Sequence, residues 1–326
     1  MTRRIPAVLL VAMLVAVACG HDDKPQTAAR HSKPTVTTPP SAAQQTTGPY
    51  AVGVRTFAFV DESRPLNVKD TRPDAPRRSI VTNVWYPAEG QPSDADVPDA
   101  PAARGPFPLI VFSHGQNGEP QQYEPSLRIW ARAGYVVAAP RHPLTVRGTA
   151  SVTADIQNQP ADVSFVITRM HAELPKEVDI RHVAVDGHSS GAITALAAAF
   201  NTCCADDRID AVVLESVIAP PFTGGSYFTG RPAKPVLFFH GDADFSFPIA
   251  AGHDVFRTAR PPKFFVTIHG GTHSTPYRGG PPDFHLVAQV SLDFFDRYLK
   301  DRAEALDRLR SDVAMFPFAT LEAVPA

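Results

Sequence analysis

The sequence predicts an α/β fold with a mainly parallel eight-stranded sheet and helices on both faces. Eight short apolar runs, rich in Val, Ile, Leu and Phe, read as buried strands. From the third run onward they alternate with segments of helical length, and prolines fall mostly between them. Strands that alternate with helices are joined by crossovers, which place neighbouring strands parallel and the helices on the two faces of the sheet.

Each element follows from a local pattern. The apolar runs predict strands at 51–60, 80–86, 109–112, 135–139, 182–186, 211–214, 235–239 and 263–268. Helices are predicted near 121–133, 160–173, 190–200, 250–258 and 284–299. In the last of these, apolar residues recur at spacings of three and four, which indicates one face packed on the sheet.

The N-terminus is predicted to be a signal peptide covering residues 1–18. Arg3 and Arg4 precede an apolar run over 5–17 that ends in small residues. This run is shorter than the roughly 20 residues of a membrane span. Cys19 follows directly, as in a bacterial lipobox, so we expect it to be acylated and to anchor the protein to the outer face of the membrane in the cell envelope. Ordinary signal-peptidase cleavage and secretion is the alternative.

Composition separates a tether from a domain. Residues 19–49 are rich in Pro, Thr, Ala and Gln and predict a disordered link, whereas 50–326 fit one α/β domain. The net charge of −2 and the absence of a basic stripe argue against nucleic-acid binding. Cys203 and Cys204 are adjacent, a spacing that suits no metal site, and we expect two buried free thiols rather than a bond between them.

The segment Gly187-His-Ser-Ser-Gly191 lies between a predicted strand and a predicted helix. Gly-x-Ser-x-Gly in that context is the nucleophile elbow, a strained turn that lifts a serine hydroxyl to the top of a sheet. We therefore predict Ser189 to be a nucleophile.

A serine nucleophile requires a carboxylate and a histidine base later in the chain. His273 is the favoured base because Gly270 and Gly271 place it on a loop, whereas His269 directly continues a strand. Asp244 is the favoured acid. Glu215, one strand earlier, is the alternative, and Asp242 is the third candidate, more suited to capping its own turn.

An oxyanion hole is predicted from two backbone N–H groups. One belongs to Ser190, which follows the nucleophile, and the other to Gln116, which lies in the loop after the third strand run. Because both donors are main-chain groups, the shape of the loop matters more than the side chain of Gln116.

These motifs resemble the α/β-hydrolase superfamily, over roughly residues 50–300. The resembling stretches are Phe112–Gly115, Gly134–Pro143, Asp162–Val166 and the elbow. Within the superfamily the sequence is similar to bacterial esterases grouped with platelet-activating-factor acetylhydrolases and predicted dienelactone hydrolases. The resemblance implies Ser189 as nucleophile, His273 as base, and Gln116 and Ser190 as oxyanion-hole donors. Dienelactone hydrolases use cysteine where this chain has serine. The eukaryotic acetylhydrolases carry their acid at the position of Glu215, which keeps that alternative open.

The expected activity is that of a serine carboxylesterase or lipase (EC 3.1.1), which needs no metal or organic cofactor. The alternatives are a polyester or cutin-type hydrolase, a thioester or peptide hydrolase, and a non-catalytic binding lipoprotein. The expected partners are a small-molecule or lipid ester and, through the anchor, a membrane; oligomeric state is not predicted. Aromatic residues in the site loops are candidates to line an apolar cleft: Tyr123, Phe222, Tyr227, Phe228, Phe245, Phe247 and Tyr277.

Overall fold

The computed structural model describes residues 50–67, 69–278 and 282–325. The predicted signal peptide, Cys19 and the tether lie outside these residues. Within the described ranges, no helix combines the length and apolar character needed to cross a membrane.

The described residues form a ten-stranded sheet in the order β10-β9-β8-β7-β6-β4-β5-β2-β1-β3. Strands β4 to β9 pair in parallel, whereas β1, β2 and β5 are antiparallel neighbours, as are β9 and β10. The strands are β1 (Ala51–Pro65), β2 (Arg77–Ala88), β3 (Val97–Pro98), β4 (Phe107–Ser113), β5 (Val136–Arg141), β6 (Val178–His188), β7 (Ile209–Glu215), β8 (Val236–Gly241), β9 (Lys263–Ile268) and β10 (Ala319–Val324).

Helices cover both faces of this sheet. Buried side chains of α2, α3 and α4 belong to one apolar core, and those of α1, α6 and α7 belong to another. The helices are α1 (Glu124–Arg132), α2 (Gln159–Glu173), α3 (Ser190–Phe200), α4 (Ile249–Thr258), the short α5 (Thr275–Arg278), α6 (Asp283–Leu299) and α7 (Ala305–Met315). The apolar face predicted for the last helix is buried in α6, which confirms that prediction.

Successive side chains of a central strand contribute to the two cores in turn. In β6, Val183 and Val185 point to the core with α3, whereas Ala184 points to the core with α6. Successive side chains of a strand face opposite sides of the sheet, so a strand covered on both faces needs a continuous apolar run. This is why the parallel strands were visible in the sequence as unbroken apolar runs.

Three features differ from the sequence predictions. The eight predicted strands are all present, but β3 and β10 were missed, because β3 has two residues and β10 is an edge strand with alternating exposure. The short helix α5 and helix α7 were also missed. Cys203 and Cys204 form a disulfide, so the expectation of two free thiols was wrong. Both lie in the turn after α3, which allows adjacent sulfurs to meet.

Candidate active site

Ser189 occupies a strained turn between β6 and α3. Its backbone has φ 58° and ψ −119°, a conformation that residues other than glycine rarely adopt. Such strain amounts to about 1–3 kcal/mol and persists only where surrounding structure holds it. The turn is held by the N–H of Ser189, which donates to the carbonyl of Glu215 at 2.9 Å. A side chain at Gly187 would overlap with the backbone of Gly191, and one at Gly191 would overlap with Ser113, which explains both glycines.

The structure brings Ser189, His273 and Asp244 together. Nε2 of His273 lies 2.8 Å from Oγ of Ser189, and Nδ1 lies 2.8 Å from Oδ2 of Asp244. The other carboxylate oxygen of Asp244 accepts the N–H groups of Ser246 at 2.9 Å and Phe247 at 2.8 Å. Burial raises the pKa of Asp244, but the Phe247 N–H and His273 outweigh it and leave the pKa below its ordinary value. Asp244 is therefore held ionised against the imidazole.

The other two candidate acids are placed elsewhere. Asp242 accepts hydrogen bonds from His269 at 2.8 Å and from the N–H of Gly270 at 2.7 Å, on the exposed side of the same loops. Glu215 is buried at the end of β7, and its Oε2 has no hydrogen-bond partner among the described residues. Burial and the neighbouring Asp186 raise its pKa well above the ordinary value. Neither carboxyl group is hydrogen-bonded to His273.

Of the two predicted oxyanion donors, Ser190 directly follows the nucleophile, and Gln116 follows Gly115, where a Cβ would lie 3.3 Å from Cβ of Ser189. Within the part of the chain that the structure describes, the N–H groups of Gln116 and Ser190 donate to no protein acceptor. Nε2 of the Gln116 side chain donates to the Ser151 hydroxyl. Beneath the loop, Nδ1 of His114 donates to the carbonyl of Gly115 at 2.8 Å. Burial lowers the pKa of His114 to about 3, so this ring is neutral and fixes the loop through hydrogen bonds alone.

Sequence reasoning missed a hydrogen-bonded relay through His188, the residue before the serine. Its Nε2 donates to the main-chain carbonyl of His273 at 2.6 Å, and its Nδ1 accepts the Tyr123 hydroxyl at 2.7 Å. That hydroxyl in turn accepts the N–H of Gly115 at 3.3 Å and Nε of Arg278 at 2.9 Å. The relay ties the loop of His273 to the loop of Gln116. The motif gave no signal for it because the middle letters of Gly-x-Ser-x-Gly are unrestricted.

A buried ionic network supports the same loop from the other side. Arg78 forms bidentate pairs with Asp155 and Asp162, and all three side chains are fully buried. Asp162 also accepts Nδ1 of His142 at 3.1 Å, and Nε2 of that ring contacts Oγ of Ser113 at 3.2 Å. These residues come from four distant parts of the chain, around residues 78, 113, 142 and 155–162, so no local pattern could have grouped them.

No cluster of His, Cys, Asp and Glu side chains suited to a metal ion occurs in the described ranges. Of the aromatic residues proposed to line a cleft, Tyr123 and Tyr277 are buried in the structure. Phe222 is also buried, beside Ile193 of α3. Phe245 is 94% exposed, and the remaining three line a groove described below: Tyr227, Phe228 and Phe247.

Comparisons with known proteins agree with this architecture. The sequence model of the chlorophyllase family matches residues 88–242, just under half of the chain. This match contains Gln116, Ser189 and Ser190 but ends before Asp244. No curated protein matches the sequence.

A ferulic acid esterase from Streptomyces cinnamoneus has a similar solved structure, with a TM-score of 0.65 and 22% identity. The alignment covers 88% of this chain and 98% of that one. At this identity the likeness establishes the fold alone, and it agrees with the predicted α/β fold. The resemblance to the acetylhydrolase group stays a prediction. The elbow between β6 and α3 and the shared fold together show that the chain has the α/β-hydrolase fold.

Proposed function

We propose that this protein hydrolyses carboxylic esters through an acyl-enzyme formed on Ser189. The observation that carries the proposal is the continuous line of hydrogen bonds from Oγ of Ser189 through His273 to Asp244. Neutral imidazole can take the serine proton at neutral pH, and the carboxylate stabilises the imidazolium that forms.

The reaction follows from this geometry. Oγ of Ser189 bonds to the ester carbonyl carbon while its proton passes to Nε2 of His273. The carbonyl oxygen becomes an oxyanion that accepts the N–H groups of Gln116 and Ser190. The bond to the alcohol oxygen then breaks, and that oxygen takes the proton from Nε2. Water repeats the sequence on the acyl-enzyme, which releases the acid and restores Ser189.

An activity-based label tests the proposal. A fluorophosphonate should label the wild-type protein, and Ser189→Ala should abolish both labelling and turnover of p-nitrophenyl esters. In another serine hydrolase, loss of the nucleophile lowers kcat about a millionfold. Ser79→Ala, at an exposed serine on β2, is the matched control and should behave as wild type. Substantial ester turnover by Ser189→Ala would refute the proposal, and turnover of thioesters or peptides in place of esters would move it to another acyl transfer.

We also propose that the enzyme is exported and anchored through an acylated Cys19. The support is the sequence pattern at residues 1–19. Cys19→Ala should abolish incorporation of labelled palmitate and shift the protein out of the membrane fraction. Membrane association that persists without Cys19 would contradict the anchor.

A further inference from the structure

A groove of 710 Å³ is lined at one end by Ser246 and Phe247, which contact Asp244 and His273. Its walls come from the loop after β7, from the loop between β8 and α4 that carries Asp244 (the acid loop), and from α4 itself. Apolar side chains make most of its lining, including Ile218, Tyr227, Phe228, Phe247, Ala251 and Val255. Its volume lies in the range of ordinary small-molecule sites.

One end of the groove belongs to the acid loop itself. Phe247 donates its N–H to Asp244 at 2.8 Å, and its ring lies 4.9 Å from the His273 ring, edge to face. Ser246, which also donates to Asp244, lines the groove as well. A ligand in the groove would therefore touch the residues that hold the acid and the base.

The groove runs from this end along α4. The helix lines it through Ala251, Asp254, Val255 and Thr258, which recur at spacings of three and four and so share one face. At 1.5 Å per residue, the wall from Pro248 to Thr258 is about 15 Å long. This length suits an extended chain rather than a compact group.

The opposite wall is fixed to the helix of the nucleophile. Ile218 packs against the cluster of Ile193 and Phe222, and the N–H of Ile193 donates to the carbonyl of Ser189 at 3.1 Å. Farther along, the N–H of Phe228 donates to the carbonyl of Phe200 at the end of α3. The groove is thus built on ordered elements on both sides.

We infer that this groove binds an extended apolar substituent on the leaving alcohol of the ester. The inference rests on the proposed ester hydrolysis, in which Nε2 of His273 must give its proton to the alcohol oxygen. That oxygen therefore lies against His273, and the carbonyl oxygen lies on the side of Gln116. The substituent on the alcohol then leaves past Phe247, where the groove begins.

Two substitutions of the same kind on α4 test the inference. Ala251→Phe places a ring in the groove, whereas Ala250→Phe places it on the exposed side, one residue away. With acetate esters of ethanol, octanol and dodecanol, kcat/KM of the wild type should rise with alcohol length. Ala251→Phe should reduce it about tenfold or more for octyl and dodecyl acetate and leave ethyl acetate unchanged, because hydrophobic pockets discriminate by about tenfold or more per excluded methylene. Ala250→Phe should match wild type throughout.

A second position and a second series sharpen the test. Thr258→Trp, at the far end, should affect dodecyl acetate more than octyl acetate. For methyl esters of acids of increasing length, kcat/KM of each variant should equal that of the wild type. If kcat/KM does not change with alcohol length while a fluorophosphonate still labels the enzyme, the inference about the groove is wrong and the proposed function stands. A loss confined to the acyl series under Ala251→Phe also overturns the assignment to the alcohol. Absence of labelling and of all ester turnover refutes the proposed function instead.

Discussion

Asp244→Asn has a consequence that follows from the hydrogen bonds of the acid. One carboxylate oxygen accepts two backbone N–H groups, from Ser246 and Phe247, and the other accepts Nδ1–H of His273. In asparagine the amide oxygen must take the first position, because the NH₂ group cannot accept those donors. The NH₂ group then faces His273 and donates to its Nδ1. The imidazole proton is forced onto Nε2, where the ring can no longer accept the proton of Ser189.

The expected loss is large because only the wrong tautomer is populated. The same replacement in a serine protease with this geometry lowers kcat about ten-thousandfold. At 1.36 kcal/mol per factor of ten, this corresponds to about 5.4 kcal/mol of transition-state stabilisation. The assay is kcat for a p-nitrophenyl ester, measured with unfolding curves to show that the variant is folded.

Two matched substitutions make this test decisive. Asp242→Asn changes the exposed pair of Asp242 and His269 on the same loops. Asp242 is hydrogen-bonded to His269 and Gly270 and not to the triad, so this variant should stay folded and keep kcat within about twofold of wild type. Glu215→Gln alters the alternative acid and should reduce kcat far less than Asp244→Asn. If Glu215→Gln abolishes turnover while Asp244→Asn retains it, the acid has been assigned to the wrong strand.

Three further predictions concern the surroundings of the site. Tyr123→Phe removes the hydroxyl that joins His188 to Gly115 and Arg278. Because a small displacement of the reacting groups is expected, kcat should fall about tenfold to hundredfold with KM nearly unchanged. A wild-type kcat would show that the relay does not position these groups. Arg78→Met removes the buried ion-pair partner of Asp155 and leaves Asp162 with Arg64 as its only arginine partner, so it should lower the free energy of unfolding by about 3–5 kcal/mol in urea titrations. An unchanged midpoint would contradict this account. Burial raises the pKa of Asp186 well above its ordinary value, so the folded state binds this proton more tightly than the unfolded chain does. Its contribution to stability is fully present below the unfolded pKa and is lost as pH rises through the folded pKa. Asp186→Asn, neutral at every pH, should therefore raise Tm relative to wild type more at pH 8 than at pH 4, and a gain larger at pH 4 would reverse the sign of the argument.

The sequence by itself determined the features that arise from local pattern. Buried parallel strands need unbroken apolar runs, and helices packed on a sheet need an apolar face. Both patterns are local, so the eight predicted strands and five predicted helices are present with nearly the predicted bounds. The elbow at Ser189 was equally visible, since its turn tolerates only glycine at Gly187 and Gly191. The edge strand β10 was not, because one row of its residues faces solvent and its apolar pattern is weak.

Only the tertiary structure decided which distant groups meet. Glu215, Asp242 and Asp244 all follow strands at the same edge of the sheet, and their order in the chain does not say which one reaches His273. That choice depends on loop paths of a few ångströms, and the loop carrying Asp244 turns toward His273 because two of its own N–H groups hold the carboxylate. The relay through His188 and the network around Arg78 likewise join segments far apart in sequence, where side-chain directions are set by packing rather than by neighbours in the chain.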